Sequence, residues 1–189
     1  MSRSVIRLQV QLEPLKKGAK PHRWYDIAPI RRVERLRVTA DGAVGEAGGQ
    51  SLLDAHHVAH PHSRNHGRAS GLSIGFTSHY RAMREQFGAH VTDGVAGENV
   101  LVGSDERITR DWLEHGALRV RDGRVVPFAE VVIAEPCVEF SRFVLGVAPG
   151  DGGPPMREPL QALRGGVRGF YVALAEPVDL AAGDELLLP

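Results

Sequence analysis

The chain lacks most of the features that assign a class at a glance. Among its 189 residues there is one cysteine, Cys137, so no internal disulfide can form. Neither charge is in excess: Lys plus Arg and Asp plus Glu both number 23, a formal net charge of zero that leaves no general attraction to nucleic acid or to an acidic membrane. No apolar run is long enough for a membrane span or a signal sequence, and the opening Met-Ser-Arg-Ser-Val-Ile-Arg has none. The 22 glycines and 12 prolines stay under a fifth of the chain, below the level that marks disorder. There is no internal repeat and no low-complexity tract. What remains is the expectation of a single well-cored domain over 1–189, cytoplasmic, acting on a small molecule, with no nucleic-acid or membrane partner.

The lone cysteine stands at a seam. Val131-Val132-Ile133 before it is β-branched and apolar, a buried strand, whereas Phe140, Phe143 and Val144 after it recur at helical spacing. Pro136 suits the first helical position, which places Cys137 in the first turn, at the end of a helix where a thiolate is favoured; Glu135 is a like charge that opposes it. Two readings stay open, a reactive or ligating sulfur and a small packed hydrophobe.

Elsewhere short strands dominate. Val5 to Leu12 alternates, with Ile6, Leu8, Val10 and Leu12 on one face and Arg7, Gln9 and Gln11 on the other, the pattern of a half-buried strand. Residues 13 to 30 hold Pro14, Gly18, Pro21 and Pro29, too many breakers for a regular element, and form a basic loop of Lys16, Lys17, Lys20, His22 and Arg23 around Trp24 and Tyr25, open to a phosphate or carboxylate or simply solvated. Val33 to Thr39 alternates again, and Asp41-Gly42 closes a hairpin. Gly71 to Phe76 is a strand, followed by a helix with Thr77 as its cap, Tyr80, Met83, Arg84 and Phe87 as its packed stripe and Gly88 as its stop. Ala117 to Val120 and Arg124 to Ala134 pair across Asp122-Gly123, with Pro127 marking a bend or an edge. Residues 146 to 159, rich in Gly and Pro, are a candidate lid, and Phe170 to Leu174 and Asp184 to Leu188 are closing strands. About eight short strands with few helices indicate a β-barrel in preference to a sandwich, because an apolar last strand needs partners on both edges.

A histidine cluster adds a candidate site. His56, His57, His60, His62 and His66 are five of the nine histidines. His56 and His60 are four apart, yet Pro61 ends any helix and no glutamate accompanies them, and one cysteine cannot complete a structural zinc site. Metal ligands, or hydrogen-bonding groups around a bound anion, both fit.

Taken in order, these pieces resemble the MOSC family, named after the C-terminal domain of molybdenum-cofactor sulfurases and found also as stand-alone bacterial proteins. Asp54-Ala55-His56 resembles its Gly-Asp-x-His segment, and His66-Gly67 with Ser78-His79-Tyr80 its His-Gly region and following helix. Gly97-Glu98-Asn99-Val100 is similar to its Gly-Glu-Asn-Leu signature, Pro136-Cys137 to its Pro-Cys, and Arg168-Gly169-Phe170 with Gly183-Asp184 to its closing strands. Leu53 stands where that family has glycine, and Arg68-Ala69-Ser70-Gly71 where Pro-Asp-Arg usually follows. The likeness spans 50–188, leaving 1–49 as N-terminal strands and basic loop.

The resemblance implies a mainly β barrel of the MOSC or pyruvate-kinase-barrel-like type with a few short helices, and a molybdenum cofactor (molybdopterin) whose metal is held by Cys137. Glu98, Asn99, Arg168, His66, Asp54 and His56 become its cofactor-binding candidates. A thiolate is a soft ligand that suits such a centre. The function implied is a small oxidoreductase acting on N-hydroxylated compounds with an electron-donor protein. A persulfide carrier served by a cysteine desulfurase, and an anion- or metal-binding module using the histidines, are the alternatives. A homodimer stays open.

Overall fold

Alternation along Ser2–Gln11, strand β1, sets the architecture. Leu8 and Val10 enter the main apolar core while Arg7, Gln9 and Gln11 point the other way, as a period of two requires. A register shift between Val5 and Arg7 changes the phase at the start of the strand, so Val5 is buried and Ile6 is 48% exposed. That bulge moves Ile6 off the face its spacing suggests. Gln9 and Gln11 are buried as well, so β1 is covered on both sides along this half and is not the half-buried strand the sequence indicates.

The computed structural model describes residues 1–63, 71–151 and 154–189. After β1 come β2 (Lys16–Lys17), β3 (Trp24–Tyr25), β4 (Ile30–Val33), β5 (Arg35–Thr39), β6 (Gly42–Ala47), β7 (Gln50–Leu53), β8 (Leu72–Phe76) and β9 (Val100–Val102). Then follow β10 (Ala117–Arg119), β11 (Val125–Ile133), β12 (Phe170–Leu174), β13 (Val178–Ala181) and β14 (Glu185–Leu187). The helices are α1 (Thr77–Phe87), α2 (Arg110–Glu114), α3 (Val138–Val144) and α4 (Arg157–Ala162).

Pairing runs from β1 through β9, β8, β12, β11 and β10 to β14, and β14 returns to β1, which closes a barrel of seven strands. The fold is therefore mainly β with a few short helices. Closure gives the apolar β14 two partners, β1 and β10, and leaves it no free edge. β8 and β9 run parallel; the other pairs in the ring are antiparallel. A second sheet, β13-β5-β6-β7, contains the hairpin that turns at Asp41-Gly42.

Several local details differ from the sequence reading. Pro127 lies opposite Ala117 inside the closed ring, just before a register shift between Phe128 and Glu130, so it marks a bend and not an edge. Residues 13 to 30 carry the short β2–β3 pair instead of a continuous loop. Phe76, not Thr77, occupies the N-cap of α1; Thr77 is its first residue, and its Oγ1 bridges to the backbone of Ser104. Likewise α3 begins after Cys137, whose extended backbone makes it the N-cap, because the first turn closes on its carbonyl from Ser141 N–H at 2.9 Å.

Two apolar cores result. One fills the barrel, with Leu72, Ile74, Phe76 and Phe170 among its members; the other lies under α1 and α3 and holds Tyr80, Met83, Phe140 and Val144 with Leu15 and Tyr25. Among the described residues no helix is long and apolar enough to cross a membrane.

Candidate functional site

Glu98 owes its position to β1. Arg7 Nη1 donates to the carbonyl of Asp93, Gln9 Nε2 to that of Gly94 at 2.8 Å and Gln11 Nε2 to that of Gly97 at 2.6 Å. Three alternate side chains on one face of a strand thus clamp the loop that ends at Glu98. Gly97 takes φ +82°, and a Cβ there would meet Leu15 Cδ1 at 2.6 Å, so the turn needs glycine twice over.

The carboxyl of Glu98 is 3% exposed. Tyr80 Oη donates to its Oε2 at 2.8 Å and accepts the Ala96 N–H at 2.9 Å, which fixes both groups. Its Oε1 is buried with no hydrogen-bond partner among the described residues. Gly75 of β8 leaves it room: a Cβ at that position would lie 2.7 Å from Oε1. Burial lifts Glu98 to about 7, against the pull of its hydrogen bonds and of Arg7. Near neutral pH this group can present either an acceptor oxygen or an O–H.

Asp54 is fully buried and saturated. Its Oδ2 accepts the Gln11 N–H at 2.8 Å and Asn99 Nδ2 at 2.9 Å; its Oδ1 accepts the His56 N–H at 2.9 Å and faces His56 Nδ1 at 3.0 Å. Burial alone would raise this carboxyl, but His56 and the backbone N–H groups outweigh it and hold it below its ordinary value. With a carboxylate at Nδ1 the proton sits there, so a neutral His56 keeps its lone pair on Nε2. Asn99 completes the link by accepting the N–H and Oγ–H of Ser73 at 3.0 and 2.9 Å.

A cavity of about 210 Å³ opens where the two cores meet. Its buried lining includes Gln11, Leu15, Tyr25, Ser73, Ile74, Gly97, Glu98 and Phe170. Its partly or fully exposed lining is Pro14, Lys16, Arg23, His56, His62, Arg168 and Tyr171. Among the described residues the exposed side of the lining carries Lys16, Arg23 and Arg168 with two histidines, and the buried side carries the Glu98 carboxyl. Arg23 also pairs with Glu139 at 2.6 Å. A neighbouring cavity of about 280 Å³ shares Arg23 and Tyr25 with the first.

Cys137 is half-buried and is not among the residues that line the main cavity. It connects to that cavity through Arg168, whose Nη1 lies 3.8 Å from Sγ and donates to the Glu135 carbonyl at 3.1 Å. The same guanidinium sits over the Phe140 ring, 5.1 Å from its centroid.

The structure brings Glu98, His56 and Arg168 to the cavity; Cys137 is off its lining, 3.8 Å from Arg168 Nη1. Asp54 and Asn99 it does not; their polar atoms are spent on each other, on β1 and on Ser73. His66 lies outside the described residues. Among the other histidines of the cluster, His60 Nε2 faces the Leu12 carbonyl at 3.1 Å, and the Nδ1 atoms of His57 and His60 each accept a backbone N–H at 3.2 Å. Among the described residues no group of three His, Cys, Asp or Glu side chains is placed to hold a metal ion. Lys16 and Arg23 come from the basic loop flagged in the sequence. In the sequence Tyr80 reads as helix packing and as part of the Ser78-His79-Tyr80 likeness, and Tyr171 only as part of a closing strand, so neither is marked as a site residue.

No family model and no curated protein matches the chain. Solved structures do. The YuaD protein of Bacillus subtilis superposes with a TM-score of 0.60 at 14% identity, over 98% of this chain and 94% of that one. YiiM from Geobacillus stearothermophilus gives 0.53 at 16% identity, over 99% and 75%, and YiiM from Escherichia coli 0.54 at 13%, over 100% and 70%. YiiM is a MOSC-domain protein, and these likenesses establish a MOSC-like fold.

Proposed function

We propose that the cavity is a cofactor site of the molybdopterin type, in a small oxidoreductase acting on N-hydroxylated compounds. The donor set fits such a group. Lys16, Arg23 and Arg168 supply the cations a phosphate needs. Among the described residues Glu98 Oε1 is a buried acceptor without a donor, and Cys137 Sγ, 3.8 Å from Arg168 Nη1, is a soft ligand. When bound, the cofactor supplies redox chemistry at molybdenum. This chain's residues bind and orient it: Arg168 joins the cavity to the sulfur, His56 offers Nε2 at the mouth, and Tyr80 holds the Glu98 carboxyl in place.

The observation that carries the reading is the 3.8 Å separation of Cys137 Sγ from Nη1 of Arg168, a residue that lines the cavity. Its test is metal analysis of protein made in a host that synthesises the cofactor. Molybdenum should accompany the wild type; wild type free of molybdenum would reject the reading.

A second reading has one observation in its favour: among the described residues Cys137 is not part of the lining, whereas Lys16, Arg23, Arg168, His56 and His62 are. On that account the protein is an anion-binding module in which the cysteine packs. Cys137→Ala would then leave anion affinity and every activity unchanged.

A further inference from the structure

The second cavity, of about 280 Å³, lies between the β2–β3 ribbon, α3 and the loop that follows α3. Among the described residues Glu98, Arg168 and Cys137 are not part of its lining. Its walls are aromatic. Trp24 is 39% exposed and lies against Gly18, where a Cβ would come within 2.6 Å of the indole ring. Tyr25 and Phe143 meet beside it at a centroid distance of 5.3 Å. A flat ligand laid on these rings takes apolar surface out of water.

The charge in this cavity comes from α3 and from the ribbon. Glu139, Arg142 and Phe143 fall at i, i+3 and i+4 and so share the helix face that lines it. Arg23 reaches the same space from β3: its Nε donates to Glu139 Oε1 at 2.6 Å, and its Nη2 lies equally close to that oxygen. Its Nη1 makes no hydrogen bond among the described residues. Arg23, Arg142 and Glu139 leave one positive charge in excess, which a monoanion balances and a cation opposes.

We propose that this second cavity is a binding site for a small aromatic monocarboxylate. The ring lies along Trp24 and Phe143, and the carboxylate takes Nη1 of Arg23 together with the Arg142 guanidinium. The proposal does not depend on molybdenum or on Cys137. Acetate carries the charge without the ring and benzamide the ring without the charge, so each forfeits half of the recognition.

The test is titration of the protein with benzoate, benzamide and acetate, followed by calorimetry and by tryptophan emission. Benzoate should saturate the site at millimolar concentration or below and bind about tenfold or more tighter than benzamide, with acetate weaker than benzoate. Benzoate should change the emission of the wild type. Trp24→Phe, which leaves Trp112 as the one tryptophan, should still bind benzoate but show no emission change. Arg142→Gln should bring benzoate to the level of benzamide, and Cys137→Ser should keep the preference, which separates this proposal from the molybdenum reading. Equal affinity for benzoate and benzamide, no saturation at millimolar benzoate, an emission change that persists in Trp24→Phe, or a preference that survives Arg142→Gln would overturn it. The wild-type comparison stands even if the Arg142 variant fails to fold.

Discussion

Asn99 Nδ2 donates to Asp54 Oδ2 at 2.9 Å, a buried bond between residues 45 apart in sequence that ties the Glu98 loop to the segment carrying His56. Both residues occupy positions where the MOSC-like motifs suggest a ligand site. The structure uses them to hold the site together.

Asn99→Ala should therefore act on stability. It strips a partner from Asp54 and from both the N–H and Oγ of Ser73, and should cost about 2–4 kcal/mol, read as a lower urea midpoint with an unchanged slope. Asn99→Asp should be worse, because it sets a second carboxylate beside a buried one. Asp54 itself is held below its ordinary value, so its contribution is present above the unfolded carboxyl range and is lost as pH falls through the lower folded value.

Glu98 carries the opposite sign. Burial raises it to about 7, so the folded state holds a proton that the unfolded chain releases from about pH 4.5 upward. Its contribution is complete below that range and disappears as pH rises through about 7. Melting temperatures of wild type minus Glu98→Gln should fall from pH 5 to about pH 7 and level off by pH 8; a flat difference throughout would contradict the burial argument.

His79 behaves as a core histidine. It is 2% exposed, packs between Phe76 and Phe170 at centroid distances of 5.1 and 6.2 Å, and burial lowers it to about 4. Between pH 6.5 and pH 4 the unfolded state takes up a proton that the folded state refuses, so stability drops as pH falls across that window. His79→Gln should show a shallower acid slope in the same melts.

Gly75→Ala tests the fit around the carboxyl. The new Cβ would lie 2.7 Å from Glu98 Oε1, and Tyr80 prevents that side chain from swinging away, so a loss of about 1–3 kcal/mol is expected. Combining it with Glu98→Ala should relieve most of the clash, giving clear non-additivity in a double-mutant cycle.

Much of the frame is legible in sequence because spacing acts locally: Leu36 and Val38 point into the core as their alternation says, and the apolar strand Leu72–Phe76 is buried throughout. The bulge that exposes Ile6 is not legible, since it depends on β1 pairing with β9 far along the chain. Gln9 and Gln11 show the same limit. Their spacing says only that they face away from the core, and it is the loop at 93–97, brought in from more than 80 residues away, that makes them clamps. For the site, Glu98, Arg168 and Cys137 are legible as motif residues. The Tyr80–Glu98 bond and the gap left by Gly75 arise from tertiary packing alone.

The central claim, that Cys137 completes a molybdenum centre beside Arg168, is tested most directly by X-ray absorption at the molybdenum edge on protein loaded in a cofactor-producing host. The wild type should show one sulfur neighbour more than Cys137→Ser. Identical sulfur shells in the two proteins would contradict it.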